Sequence, residues 1–230
     1  MIRIVPLTGI PEVRAGDDLG RLVGDSVARA GGLEPGDVLV VSQKVVSKAE
    51  GRVERVPPER HVEAILAEAR RVRRRRDELV IAETRQGFVC ASAGVDRSNT
   101  PGDGWVVLLP LDPDDSARRL RDALAARFRV AAAVIVSDSF GRAWRQGTTD
   151  VAIGVAGMAP MLDLRGTADG RGRPLEATVI AVADELAGAA ELVMGKADGI
   201  PAALVRGYAV PSGEGRAIDL VMPPERDLFP

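Results

Sequence analysis

VAAAVIVSDSFGR, residues 130–142, opens with seven consecutive apolar residues and turns polar at Ser137. An apolar run of that length, β-branched toward its end, predicts a strand over Val130 to Val136 buried on both faces. A strand covered on both sides needs flanking helices, and the rest of the chain supplies them in alternation with further β-like runs. Ile2 to Val5 reads as a strand, and a Pro- and Gly-bearing loop follows from Pro6 to Gly16. Asp17 and Asp18 then open a helix to about Ala30, their carboxylates set against the free amides of its first turn. Gly31 and Gly32 stop that helix, and Pro35-Gly36-Asp37 turns into the apolar strand Val38 to Val41.

Farther along, PPERHVEAILAEARR reads as an amphipathic helix with His61 on the solvated surface of its first turn. It ends in Arg70, Arg71 and Arg73 to Arg76, six arginines in seven residues. These suit the negative pole of a helix dipole, or alternatively an anionic ligand. Leu79 to Ala82 and Gly87 to Ala91 are expected to form a hairpin about Thr84-Arg85-Gln86. Ser92 to Gly104 is a polar loop, and Trp105 to Leu109 a strand. Asp112-Pro113-Asp114-Asp115 starts a helix whose Ala117, Leu120, Leu124 and Phe128 form one buried stripe, with the aspartates as terminal helix charges. Val151 to Ala156, Met161 to Leu164 and Ala202 to Val205 are further strands. A Gly/Arg loop spans Gly166 to Pro174, and Ala183 leads a helix to about Met194. The tail from Ser212 to Pro230 is polar and has little to bury. Bottom-up, this is a mixed α/β chain with no visible domain boundary.

Composition narrows the chemistry. The 230 residues carry Lys+Arg 31 against Asp+Glu 33, a net charge of −2, with Phe 4, Trp 2, Tyr 1 and a 46% apolar fraction. A chain like this folds, and it lacks both the basic excess and the stacking aromatics of a nucleic-acid binder. One His and one Cys, His61 and Cys90, are too few for a zinc site or a disulfide. Any metal should therefore be a hard, oxygen-ligated ion. No apolar run is long enough to span a bilayer and no leader is recognisable at the start, so the cytoplasm is the expected location.

Three strand ends share a polar composition: SQKVVSK at residues 42–48, AGVDRSN at 93–99 and SDSFGR at 137–142. Strand ends form a rigid rim on which side chains can converge. Two aspartates with hydroxyls and an amide suit Mg or Mn, and nearby Lys and Arg suit phosphate. Alternatively, Asp96 and Asp138 only cap Asx-turns. Gly195-Lys196-Ala197 lacks the flanking residues of a P-loop, and no G-x-G-x-x-G follows a strand.

The same segments resemble the γ-glutamyl ligases of the deazaflavin coenzyme F-420. The resemblance runs collinearly through GIPEVRAGDDL, VLVVSQKVVSKAEGR, GFVCASAGVDRSN, LPLDPDDSARRLRDAL, VIVSDSFGRAWRQGTTDVAIGVAG, VADELAGAAELVMGK and ALVRG, from about residue 6 to 207. It implies an α+β fold of mixed β-sheets with flanking helices, in an intertwined homodimer. It also implies GTP-dependent addition of L-glutamate to the terminal carboxylate of the coenzyme precursor, then γ-linked extension, through an acyl phosphate. Mg or Mn would assist, with a monovalent ion such as K as an optional companion. By the same resemblance the metal falls to Asp96, Asp138 and Ser139. Nucleotide contacts fall to Ile10, Pro11, Glu12, Val13, Gln43, Lys48, Asn99, Gly195 and Lys196, and Lys48 and Arg142 would stabilise the transferring phosphoryl group. The other readings are a phosphotransferase or amide ligase acting on another acid, and a non-catalytic coenzyme-binding subunit.

Some positions depart from the family pattern. Ser-Asp-Ser replaces Thr-Asp-Thr at 137–139, Thr148 stands where Gln is frequent, and Ser92 stands where Asn is frequent. Lys196 stands where some members are acidic, which argues against a second metal there. Many bacterial members continue into a nitroreductase-like domain after a segment like Arg226-Asp227-Leu228-Phe229. Here the expectation is a single ligase domain over 1–230 without that extension.

Overall fold

A computed structural model describes residues 1–228. With strands numbered in chain order, the main sheet runs β1 (Arg3–Pro6), β12 (Ala202–Arg206), β2 (Val38–Ser42), β8 (Ala133–Arg142), β9 (Arg145–Ala156). β2 and β8 are parallel, and every other neighbouring pair in this sheet is antiparallel. Successive side chains of a strand face opposite sides, so the complete burial of Val38 to Val41 and Val134 to Val136 shows that both faces of the sheet centre are covered. The cover comes from α1 (Leu19–Arg29), α4 (Pro113–Phe128) and α5 (Val182–Met194). The short α2 (Gln43–Ala49) continues directly from β2.

A second apolar cluster, with Ile65 and Val80 at its centre, lies apart from the main core. It is built by α3 (His61–Glu68), the pair β3 (Val53–Arg55) with β7 (Trp105–Val107), and a three-stranded sheet of β4 (Ala69–Arg76), β5 (Leu79–Thr84) and β6 (Val89–Ala91). A last pair joins β10 (Leu162–Asp163) to β11 (Val179–Ile180). The whole is a mixed α+β architecture of several sheets and flanking helices.

The helix starts follow from their caps. Asp18 precedes α1 and accepts the Arg21 N–H at 2.9 Å, while Asp17 instead accepts the Arg14 N–H and closes the preceding turn. Asp112 precedes α4 and accepts the Asp115 N–H at 2.9 Å. Each such cap contributes about 1 kcal/mol. Ala117, Leu120 and Leu124 of α4 are buried and Phe128 is half-buried, as the stripe predicts.

Between β8 and β9 the register slips, because Val136 faces Gly154 while Ser137 faces Ala152. Ile153 is the extra residue of a bulge. The strand amides around it are taken by helix carboxylates, one buried (Asp114) and one half-buried (Asp184). Asp114 of α4 accepts from Val155 N–H at 2.8 Å, and Asp184 of α5 accepts from Ala152 N–H at 2.9 Å. Gly154 is required here, since a Cβ would sit 2.3 Å from the Pro113 carbonyl oxygen.

The structure departs from three expectations. The arginine run is not a helix end: α3 stops at Glu68, Ala69 turns extended (ψ 128) and residues 69–76 pair with β5. A two-residue turn at Asp77-Glu78, with Asp77 at φ 52, closes that hairpin, and pairing through β5 overrides the helical pattern. His61 is not solvated but 8% exposed, packed in the second unit, and burial together with the Arg97 charge holds its pKa below the ordinary value. β8 does not end at Val136: it begins later, at Ala133, and runs on to Arg142 because β9 pairs with it throughout. The tail buries little, as expected, but Ala217 is fully buried and its N–H donates to Asp114 at 3.0 Å. Of the segment Arg226 to Phe229, Phe229 lies outside the described residues, as does Pro230.

Candidate active site at the ends of the parallel strands

Because β2 and β8 are parallel, their chains pass the same edge of the sheet in the same direction, with Ser42 paired beside Ser137. Ligands of open sheets gather outside the carboxyl ends of parallel strands. A cavity of about 390 Å³ lies there. Ser42 caps α2, accepting the Lys44 N–H at 3.4 Å, and α2 then presents Lys44 and Lys48 one turn apart on one face. Lys48 pairs with Glu12 at 2.6 Å, and Lys44 pairs with Asp96 at 2.7 Å.

The loop after β1 supplies Ile10, Pro11, Glu12 and Val13 to this cavity, and the C-terminal end of α5 supplies Gly195 and Lys196. Asn99 bridges toward the latter, its amide donating to the Lys196 carbonyl at 3.5 Å. Asp138 and Ser139 line the cavity from β8. Ten of the thirteen residues singled out in the sequence therefore meet around one space.

The other three behave differently. Asp96 does not line the cavity but reaches it through Lys44; its Oδ1 also accepts the Ser98 N–H at 2.7 Å, so the Asx-turn reading holds for its geometry. Gln43 does not line the cavity either. It is fully buried, accepts from the Ser47 hydroxyl at 2.9 Å, and keeps its Nε2 without a hydrogen-bond partner. Arg142 is exposed at the tip of the β8–β9 hairpin, paired with Arg145, and lines no cavity described here. Four residues of strand carry it about 13 Å past Asp138.

Three lining residues were not among the positions singled out individually in the sequence: Lys44, Asp150 and Glu191. Asp150 lies opposite Ser139 in the ladder and accepts from both Ser137 (2.8 Å) and Ser139 (2.5 Å). Only the pairing of β8 with β9 brings those groups together. Lys44 could have been found by its four-residue spacing from Lys48.

The charges are unequally placed. Burial pushes the Asp138 carboxyl up to about 7; the Asp96 and Asp150 charges add to this, and Lys44 and the Ser139 N–H oppose it. Burial would also raise Asp96, but the Lys44 ammonium and the Ser98 N–H outweigh it and hold that carboxyl below its ordinary value. Burial raises Glu191, with the Asp150 charge adding to it. Among the described residues no three of His, Cys, Asp and Glu stand together as a metal cluster. Yet a buried carboxyl destabilised by two like charges, with hydroxyl oxygen beside it, is the environment a hard cation relieves. The donor set fits such an ion provided water or phosphate supplies the remaining oxygens.

Backbone conformation adds a reason for one family departure. Ser92, Ala93 and Gly94, just before Asp96, all have left-handed φ (56, 48 and 74). Asn adopts that region more readily than Ser, so the Asn frequent at position 92 suits the turn itself.

The model of the F420-0:gamma-glutamyl ligase family matches residues 9–207. The chain belongs to that family. Among similar ligases, the coenzyme F420:L-glutamate ligase of Methanothermobacter thermautotrophicus is 42% identical over 99% of this chain and 98% of its own length. The protein of the same name from Methanopyrus kandleri is also 42% identical, over 99% and 97%. That of Methanocaldococcus jannaschii is 39% identical over 86% of each. No helix of this ligase-family chain, among the described residues, is long and apolar enough to cross a membrane.

Proposed function

We propose that the chain is a GTP-dependent ligase that joins L-glutamate to the terminal carboxylate of the coenzyme F-420 precursor and extends it by γ-linkages. The names of its relatives support the substrates. The observation that carries the chemistry is the convergence of Lys44, Lys48 and Lys196 with Asp138, Ser139 and Asp150 in one cavity at the ends of parallel strands.

A carboxylate is a poor electrophile. In this reading an oxygen of the acceptor carboxylate attacks the γ-phosphorus, the bond to the β-phosphate oxygen breaks, and GDP leaves an acyl phosphate. The glutamate amine, having lost a proton, then attacks the acyl carbon and phosphate departs. Lys48 and Lys44 neutralise phosphate oxygens as charge moves toward the leaving group, which is where phosphoryl transfer needs most help. Gly195 and the loop of Ile10 to Val13 wall the nucleotide in. Asp96, Asp138 and Ser139 are the residues that would hold Mg or Mn, which when bound supplies charge neutralisation and orientation of phosphate oxygens. Arg142 has no part in this step, and Gln43 acts by packing α2 from beneath. A homodimer and a cytoplasmic location belong to the same reading; sedimentation of the purified chain tests the former.

The deciding experiment incubates protein, precursor, L-glutamate, GTP and Mn, and follows mass increments of glutamate together with GDP. Stepwise glutamate addition matched to GDP release is expected. GDP without glutamylation would shift the reading to another acid acceptor, and neither product would shift it to a binding subunit.

A further inference from the structure

The nucleotide cavity is not the largest space in the molecule. A second one, of about 970 Å³, opens between the β4–β5–β6 sheet, the β8–β9 ladder and the segment 217–224. Small-molecule sites run from roughly 300 to 1,000 Å³, so the smaller cavity suits one modest ligand and the larger one a bulky ring system. One wall is aromatic: Phe88 and Phe140 pack edge to face with centroids 6.4 Å apart. Another is cationic, formed by Arg70, Arg73 and Arg74 of β4.

Among the described residues, two of those arginines share one acid. Glu83 meets Arg70 at 3.4 Å and Arg73 at 3.6 Å, so one carboxylate is shared by two guanidinium groups. The Arg73 Nε is buried and has no hydrogen-bond partner among the described residues. Leaving a buried donor unmet is costly, and an anionic oxygen is the acceptor a guanidinium prefers. Two further carboxylates line the space: Asp184 is engaged by the Ala152 N–H, and Asp227 has an interaction of its own.

The two cavities share β8. Asp138 lines the smaller and Phe140 the larger. Two residues apart on a strand, they lie on one face with Cα atoms about 7 Å apart. A molecule whose rings rest on Phe140 can therefore reach Asp138 with a short acidic tail.

Resting on the ligase reading above, we propose that the larger cavity binds the ring-bearing end of the acid acceptor. Its planar aromatic system lies against Phe88 and Phe140, an anionic group beyond the rings meets Arg73 and Arg74, and its carboxylate is delivered along β8 to the phosphoryl-transfer cavity. The arginine run thereby has an anion to hold.

The test titrates oxidised deazaflavin coenzyme, by fluorescence anisotropy, into the full chain and into Arg73→Ala/Arg74→Ala, with GTP binding followed separately by calorimetry. The double variant is expected to bind coenzyme about 10- to 100-fold more weakly while GTP affinity is retained. Met222→Asp, at an exposed position on the cavity rim, places a repelling charge there without disturbing the core. It should weaken coenzyme binding in the same direction, and it settles the matter if the double variant fails to fold. Unchanged coenzyme affinity and unchanged KM for coenzyme in these variants would overturn the proposal while the ligase reading stands. The same null result with an altered sedimentation coefficient would reassign the face to contact between copies of the chain. A wild-type chain that neither binds coenzyme nor adds glutamate to it overturns the ligase reading itself.

Discussion

β8 and β4 are both strands dominated by one kind of side chain, yet they do opposite things. β8 is apolar through Val136, buried on both faces, and brings Asp138 into a space where burial, with the Asp96 and Asp150 charges adding to it, raises its pKa to about 7. β4 is mostly arginine, largely exposed, and held in place by pairing with β5. In β8 the side chains make the strand, through apolar burial on either side. In β4 the neighbouring strand makes it, and the side chains stay available to solvent and ligand. A chemical group gains a perturbed environment from the first kind of strand and an open, charged surface from the second.

The largest expected effect is on turnover: Asp138→Ala should lower glutamate ligation more than about 1,000-fold, with secondary structure retained by circular dichroism. Near wild-type turnover would remove Asp138 from the site. Next comes stability. Ile135→Ala in β8 should cost about 2–5 kcal/mol in urea unfolding, because a fully buried side chain leaves a cavity between covered faces. Arg71→Ala in β4 should stay within about 0.5 kcal/mol, because that position is exposed. Equal costs at the two positions would erase the distinction.

A pH effect has a definite sign. The Asp138 carboxyl has an ordinary value of 3.8 and is raised to about 7 in the fold, so the folded state holds its proton more tightly than the unfolded state. Its contribution to stability is complete below about pH 4 and is lost as pH rises toward 7. In chelator, the wild-type chain should lose stability over that interval relative to Asp138→Asn; parallel curves for the two proteins would contradict the assignment. Cys90, on β6 and facing Asp138 electrostatically, is pushed up to about 12 chiefly by burial. Its thiol should resist iodoacetamide at pH 8 until the protein is denatured, and rapid alkylation of the native chain would show that face to be open. The smallest effect is a gain: Ser92→Asn should raise stability by up to about 1 kcal/mol by suiting the left-handed backbone there, measured as a shift in the urea midpoint.

Much of this was legible in the residues, for reasons that differ from place to place. The strands Val38 to Val41 and Val134 to Val136 announce themselves because unbroken apolar runs have only one stable home. Asp18 and Asp112 mark helix starts because a carboxylate there meets free amides. The cavity residues Ile10 to Val13, Lys48, Asn99, Asp138, Ser139, Gly195 and Lys196 were named through family resemblance, not through spacing. Lys44 and Asp150 were missed because their partners are 52 residues away (Asp96) and across a bulged ladder (Ser137 and Ser139). That Arg142 lies away from the cavity could not be read ahead, because a hairpin's length depends on its partner strand, which a single segment does not reveal.

Local sequence pattern was enough for a composition able to build an apolar core, the buried centre of the main sheet and the helix caps, and it left one His and one Cys as the chain's whole supply of those ligands. Those follow from local pattern and from counting donors. Tertiary structure alone decided that β2 and β8 lie parallel so that their ends meet, that the arginine run is a strand, that His61 is buried, and that Asp138 is the carboxyl left destabilised while Asp96 is paired. Each of these turns on which segments distant in the chain come to lie side by side, and both hydrogen-bond pairing and the loss of water around a charge are properties of that neighbourhood, not of the residue.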